Sequence, residues 1–326
     1  MTGGLSTPDP ADKRNLNYVL RTGLAGGVAG CAAKTIVAPL ERVRILFQTS
    51  HFQFIKHTTS WSGLFDAMKD IRQMHGGISA LFKGHSATLL RIFPYAGINF
   101  LAYEQIRAVV IQSQENETPW RRFVCGGMAG ATSTVFTYPL ELVRIRLAVQ
   151  TDRTAGSSWI GICRKIYQED GGRWRVTNFY RGFAPTMLGI LPYAGMSFLA
   201  HDIIGDWLRS GPVAAYTVMR HDQTRGASTG VQSHVRLTAV AQLCCGALAG
   251  LVAQSTSYPI DIVRRRMQVG NGYQAGILET ARKIYVERGI RGFYVGLTIG
   301  YVKIVPMVAT SFFVYDRMKR WLFKDM

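Results

Sequence analysis

Acidic side chains are scarce in this chain: 20 Asp+Glu stand against 38 Lys+Arg, which leaves +18 at pH 7 over 326 residues. Charge of either sign is thin too, at 18% of residues, where soluble domains carry roughly 25%. Hydrophobic residues make up 48%, which excludes intrinsic disorder, since a disordered chain needs low hydrophobicity. The same balance argues against a nucleic-acid partner, which so basic a chain would otherwise suggest. Only five cysteines occur (Cys31, Cys125, Cys163, Cys244, Cys245), with no C-x-x-C among them. Their number is odd and their spacing fits neither a metal site nor a disulfide framework, so they read as reduced thiols. The N-terminal stretch MTGGLSTPDPADKRN has no apolar core, so no secretory signal is expected. It is also acidic and Pro-rich for a mitochondrial transit peptide, and any organelle targeting is expected to be internal. A nucleophile elbow, a P-loop, G-x-G-x-x-G and an EF-hand loop are all missing. His201, Asp202 and Cys163 are the residues from which a nucleophilic set could be imagined, and no motif supports them. The expectation is therefore a protein that is not an enzyme and needs no metal or cofactor.

Uncharged runs are abundant. Residues 123–140, 182–201 and 237–260 hold no charged residue, and their lengths are 18, 20 and 24. Crossing a bilayer as a helix takes about 20 mostly apolar residues. Three further stretches would qualify but for one base each: 22–40 with Lys34, 86–103 with Arg91 and 292–315 with Lys303. Mean hydropathy is only +0.07, and the 34 glycines with interspersed Ser, Thr and Tyr suggest that each span turns one face away from lipid. An all-α membrane protein with six transmembrane helices follows.

The spans repeat. The odd-numbered ones end in VAPLERVRIL (37–46), TYPLELVRIR (137–146) and SYPIDIVRRR (257–266). They share Pro-x-acid-x-x-Arg: Pro39/Glu41/Arg44, Pro139/Glu141/Arg144 and Pro259/Asp261/Arg264. A G-x-x-x-G pair precedes each proline at one fixed offset: Gly26/Gly30, Gly126/Gly130 and Gly246/Gly250. Such pairs let membrane helices approach closely. The even spans read RIFPYAGINFLAYE (91–104), GILPYAGMSFLAHD (189–202) and KIVPMVATSFFVYD (303–316), and between paired spans lie LFKG (81–84), FYRG (179–182) and FYVG (293–296). The expected organisation is a tail at 1–17, repeats at 18–112, 119–210 and 236–323, and a polar insertion at 211–235. These triplicated motifs resemble the mitochondrial carrier family over residues 18–323.

An acid and a base at i and i+3 share a helix face, and one copy would be an intrahelical pair. Three copies at one depth in a pseudo-threefold bundle allow a ring. The resemblance implies the pairs Glu41–Arg144, Glu141–Arg264 and Asp261–Arg44 as a matrix gate, braced by Gln48 and Gln268, with Ala148 in the middle brace position. Leu46 and Val295 stand where the family is usually basic. It implies a cytoplasmic gate from Tyr103, Glu104 and Arg107, from Asp202, and from Tyr315, Asp316 and Lys319. Gly205 replaces one base there, leaving Asp202–Lys319 and Asp316–Arg107 as the pairs. Two gates that are not open together give alternating access.

Charges at membrane depth are functional candidates. Lys34, Arg91 and Lys303 have no sequence-local acid, and a cavity holding three such cations would attract a polyanion. The resemblance places substrate contacts at Arg91, Gly189–Ile190 and Lys303, and matches Lys34, Asn99, Tyr193 and Ser257 to positions lining the nucleotide pocket of ADP/ATP carriers. A small-plus-apolar pair such as Gly189–Ile190 would let a purine lie flat. The stretches 33–50, 91–100 and 185–198 resemble the coenzyme A carrier branch, to which the Graves disease carrier homologues belong. Coenzyme A is thus the expected substrate, with exchange for an adenine nucleotide. An ADP/ATP or ATP-Mg/phosphate carrier is the alternative, followed by a non-transporting regulator.

The intra-repeat loops 42–85, 142–182 and 262–291 hold 21 of the 38 Lys+Arg. The positive-inside rule then places them in the matrix, with both termini toward the intermembrane space. Cardiolipin is an expected lipid partner at LFKG and FYRG. The implied setting is the mitochondrial inner membrane, and the implied state is a monomer.

Overall fold

A computed structural model describes residues 16–49, 62–74, 77–111, 118–150, 158–169, 175–210, 212–218, 237–270 and 276–323. Nearly all of the expected tail (1–17) and most of the expected insertion (211–235) lie outside the described residues. One pattern occurs three times: long helix, short helix, a tight 3-10 turn, long helix. It runs first through α1 (Leu16–Gln48), α2 (Ser62–Met74), the turn Ile78–Phe82 and α3 (His85–Val110). It runs next through α4 (Pro119–Val149), α5 (Trp159–Gln168), the turn Arg175–Tyr180 and α6 (Phe183–Ser210), which a short α7 (Ala214–Thr217) follows. The third copy is α8 (Ala239–Val269), α9 (Ile277–Arg288), the turn Ile290–Tyr294, then α10 (Leu297–Val302) and α11 (Ile304–Leu322). Among the described residues the only β pairing is a single antiparallel bridge, Val218 with Leu237.

Among the described residues, four helical segments are long and apolar enough to cross a membrane: Arg21–Gln48, Arg175–Ser210, Val240–Val269 and Ile290–Leu322. Helices α3 and α4, also expected as spans, are not among them. Lys34 and Arg91 do not break their helices. At Lys303, however, the last long helix is interrupted, and Pro306 falls in the first turn of α11. There its missing N–H has no intrahelical acceptor to lose. The other repeat prolines, Pro39, Pro94, Pro139, Pro192 and Pro259, sit inside continuous helices, where each removes a backbone bond and favours a kink.

The glycine that ends each aromatic-x-Gly motif opens the following helix. Gly84, Gly182 and Gly296 have φ of 83°, 78° and 81°, the left-handed region that favours glycine. At Gly84 a side chain would also lie 2.8 Å from the Arg144 carbonyl oxygen. In two repeats a tyrosine locks this corner. Tyr138 donates to the Arg181 carbonyl (2.7 Å) and stacks on Tyr180 with centroids 5.9 Å apart. Tyr258 donates to the Val295 carbonyl (2.9 Å) and stacks on Tyr294 at 6.4 Å. Repeat 1 has Ala38 at this position.

The described chain divides into two compact units. The first comprises Met1–Arg181, Gln268–Gln274 and Thr298–Met326; the second comprises Gly182–Met267 and Ala275–Leu297. In the first, α3 packs along α4 and α1 along α11, and Leu142, Val143 and Leu147 of α4 bury against Ile162 and Ile166 of α5. In the second, Leu208 packs with Leu237, Ala241 and Cys245, while Tyr258, Ile262 and Val263 enclose Ile284.

The G-x-x-x-G expectation needs correction. A β-carbon at Gly26, Gly30, Gly126, Gly130, Gly246 or Gly250 would meet no atom within 4 Å among the described residues. The buried stripes run one residue earlier: Ala25, Ala29, Ala33 and Val37 on α1; Cys125, Ala129, Ser133 and Thr137 on α4; Cys245, Ala249, Ala253 and Ser257 on α8. One residue is a rotation of about 100° around a helix. The small residues that do the packing are therefore Ala, Cys, Ser and Thr. The hydroxyls of Ser133, Thr137 and Ser257 bond the carbonyl four residues back in their own helices, which satisfies the hydroxyl donor at a buried position.

Candidate substrate site and gate

Glu41 sits two residues past Pro39 on α1 and is buried. Arg144, reaching from α4, donates to its Oε2. The other oxygen, Oε1, is 3.1 Å from Lys303 Nζ and 3.8 Å from Lys34 Nζ. Lys34 Nζ also lies 3.8 Å from the Met307 sulfur. Glu141, buried on α4, is 3.2 Å from Arg91 Nη1. The Arg91 guanidinium lies over the Tyr95 ring, 5.3 Å from its centroid, and its Nε reaches Thr137 Oγ1 at 3.5 Å.

One pair that the resemblance implied is in contact, and one expectation is corrected. Glu41 and Arg144 are together. Lys34, Arg91 and Lys303 are not isolated cations, because each rests on a carboxylate of the Pro-x-acid motif. Buried charge is strongly favoured to find a partner. Four cations share two carboxylates in this unit, so the cluster keeps a positive excess.

The remaining expected residues divide by location. Asn99 accepts from Ser133 at 3.5 Å, joining α3 to α4. Gln48 is buried, and Gln268, fully buried, donates to the Tyr138 hydroxyl at 3.0 Å. Arg44 lies on α1 with Glu41. Asp261 and Arg264 lie a turn apart on α8 in the second unit. That unit also carries Gly189, Ile190 and Tyr193 on α6 and Ser257 on α8. A β-carbon at Gly189 would touch Ile260 at 3.5 Å, Ile190 is half-buried, and Tyr193 is exposed.

At the other motif, Tyr103, Arg107, Tyr315 and Lys319 are half-buried, and Glu104, Asp202 and Asp316 are exposed. The Asp316 carboxylate is engaged by Arg320 at 2.6 Å, one turn on in its own helix. Asp202 lies 3.9 Å from His201 Nδ1. At Gly205, a β-carbon would come within 3.3 Å of Arg209 Nη1, and Arg209 pairs with Asp206. Outside the spans, Cys163 on α5 packs against the Leu142–Ile166 cluster, and burial pushes its thiol above the ordinary value, the wrong direction for a nucleophile.

Several contributors were not anticipated. Arg146 binds both oxygens of Glu169 (2.8 and 3.1 Å), and Arg181 donates to the same carboxylate. Asn178 donates to the Ile166 and Glu169 carbonyls. The tyrosine corners had a visible signal, Tyr-Pro in repeats 2 and 3 against Ala-Pro in repeat 1.

The family model for mitochondrial carrier proteins matches residues 16–114, 115–211 and 235–326. The chain belongs to the mitochondrial carrier family. The carrier is 46% identical to the mitochondrial carrier protein LEU5 of Saccharomyces cerevisiae, over 96% of this chain and 92% of that one. It is 38% identical to human solute carrier family 25 member 16, over 93% and 89%. It is 36% identical to the mitochondrial coenzyme A transporter SLC25A42 of Rattus norvegicus, over 98% and 92%. The all-α architecture with three family repeats is that of a mitochondrial carrier, and the family is one of transporters.

Proposed function

We propose that this carrier moves coenzyme A across the mitochondrial inner membrane in exchange for an adenine nucleotide, by alternating access between two gates. The observation that carries the reading is the double use of the basic residues. Lys34 and Lys303 share one oxygen of Glu41, and Arg91 rests on Glu141. A polyanionic substrate competes with those carboxylates for the same cations. When its phosphates take Lys34, Lys303 and Arg91, Glu41 keeps only Arg144, and the gate loosens because the substrate has arrived. A ligand shifts a conformational equilibrium only through such differential interaction. Coenzyme A carries a 3′-phosphate and a pyrophosphate, a charge pattern suited to three cations. The resemblance to a coenzyme A transporter over nearly the whole chain supports the choice. The Glu41 gate faces the matrix, both termini face the intermembrane space, and cardiolipin binds at the LFKG and FYRG corners.

The test is a ligand panel on purified carrier, with proteoliposome uptake of the same compounds. Coenzyme A is expected to raise the unfolding temperature, because it binds the native state, and to be taken up. Uptake of ADP or ATP without uptake of coenzyme A, dephospho-coenzyme A or adenosine 3′,5′-diphosphate overturns the assignment in favour of a nucleotide carrier.

A further inference from the structure

Arg42 is among the most deeply buried large side chains of the protein. It stands three residues after Pro39, where the other repeats have Leu142 and Ile262, both fully buried. Repeat 1 also differs one turn later. Seven residues after the proline, repeats 2 and 3 have Arg146 and Arg266, whereas repeat 1 has the buried Leu46.

These two departures answer each other. Arg146 donates from Nε to the Gln268 carbonyl (2.6 Å) and from Nη2 to the Gly270 carbonyl (3.2 Å). Arg42 donates from Nε to the Ala148 carbonyl (3.0 Å) and from Nη2 to the Gln150 carbonyl (3.0 Å). Ala148 and Gln268 each stand nine residues after their repeat's proline, and Gln150 and Gly270 stand eleven after. The same two guanidinium nitrogens therefore reach the same two carbonyls, starting one helical turn apart. Residues i and i+4 lie on one face of a helix, so a long side chain from either can serve one target. The target attracts a cation in both cases. These carbonyls lie at the ends of α4 and α8, where acceptors lack intrahelical donors and the helix dipole is negative.

We propose that Arg42 is a relocated latch: it takes over from position 46 the task of tying α1 to the end of α4 while Glu41 and Arg144 are paired. It is a positioning residue, one position from Glu41 in the chain, and it acts on the gate through α1. The inference rests on reading the Glu41–Arg144 pair as a gate.

The test compares Arg42→Leu, the relocation Arg42→Leu/Leu46→Arg, and Arg146→Leu. Full-length carrier is purified, its unfolding temperature is measured without ligand, and uptake of coenzyme A and of ADP is measured per folded carrier. Arg42→Leu is expected to lower the unfolding temperature by about 5 °C, the shift expected for losing a few hydrogen bonds. It should cut kcat about tenfold, losing the charge-assisted bonds that hold the gate closed, with KM within about twofold. Arg146→Leu should do the same. The relocation should restore kcat to within about threefold of the wild type, a recovery that loss of packing at position 42 does not produce. Wild-type kcat in Arg42→Leu overturns the proposal, as does a folded relocation variant no faster than Arg42→Leu. If the relocation variant does not fold, Arg42→Lys decides. It keeps the charge and can reach one carbonyl, so it should run clearly faster than Arg42→Leu, and equal rates overturn the proposal. Failure of the wild type to take up coenzyme A defeats the substrate assignment alone, because the unfolding temperatures and ADP uptake still judge Arg42.

Discussion

Glu41 and Asp316 both belong to the first compact unit, and both lie in triplicated acid–base motifs. Their environments are opposite. The Glu41 side chain is 10% exposed and draws cations from α4, from the break before α11 and from its own helix. The Asp316 side chain is 52% exposed and is held by Arg320 within α11. An exposed pair four residues apart contributes about 0.3–0.5 kcal/mol. Breaking a buried one costs about 3–5 kcal/mol, because the partners are left uncompensated. The motif therefore links helices at Glu41 in this conformation, whereas the Asp316–Arg320 pair stays within a single helix. A transporter with two gates needs such an imbalance in each of its states, since a carrier tight at both ends would be locked.

The largest effect should come from Glu41→Gln. It leaves Arg144, Lys303 and Lys34 without their shared carboxylate, and uptake in proteoliposomes is expected to fall to background together with a lower unfolding temperature. Retention of more than half the wild-type uptake would erase the contrast with Asp316. Next come Lys303→Ala and Arg91→Ala. Each should fold and lose uptake about 10- to 100-fold, the size expected when a charge-assisted contact to substrate is removed. The stabilisation by coenzyme A should vanish with it. A variant that keeps that stabilisation would mean that its cation serves the gate acids and not the substrate.

Tyr138→Phe removes one buried hydroxyl from the Arg181 carbonyl and from Gln268. A loss of about 1 kcal/mol is expected, read as a drop of a few degrees in thermal unfolding, with Tyr258→Phe close behind. The smallest effect belongs to Asp316→Asn, which should change stability by less than about 0.5 kcal/mol. If it instead matches Glu41→Gln in stability, the contrast between the two motifs fails.

Much of this architecture was legible from spacing alone. The repeat of Pro-x-acid-x-x-Arg, the uncharged runs and the aromatic-x-Gly corners are local patterns, and the structure places helices and left-handed glycines where those patterns stand. The Glu41–Arg144 pair was legible for a different reason: three equivalent acids and bases allow a ring, and the family resemblance implied which acid meets which base. Two expectations failed where geometry decides. The G-x-x-x-G pairs share a helix with the packing stripe but point about 100° away from it, and glycine spacing does not reveal which small residue faces a neighbour. Arg91 and Lys303 looked isolated because their acids are remote in sequence, and Lys34 because its acid, Glu41, stands about two turns on in the same helix. Lys303 finds Glu41 across 262 positions.

By itself the sequence determined the composition of a membrane chain, its three repeats, the breaks and corners of its helices, and which residues carry charge at depth. These follow from local rules: hydropathy over a span, the missing N–H of proline and the backbone freedom of glycine. Only the tertiary structure decided how the charges are shared. Burial makes an unsatisfied charge intolerable, so each buried base takes whatever acid or carbonyl the packing of helices brings within reach. That is how the candidate substrate cations came to rest on the gate acids, and how Arg42 came to reach the carbonyls that Leu46 does not.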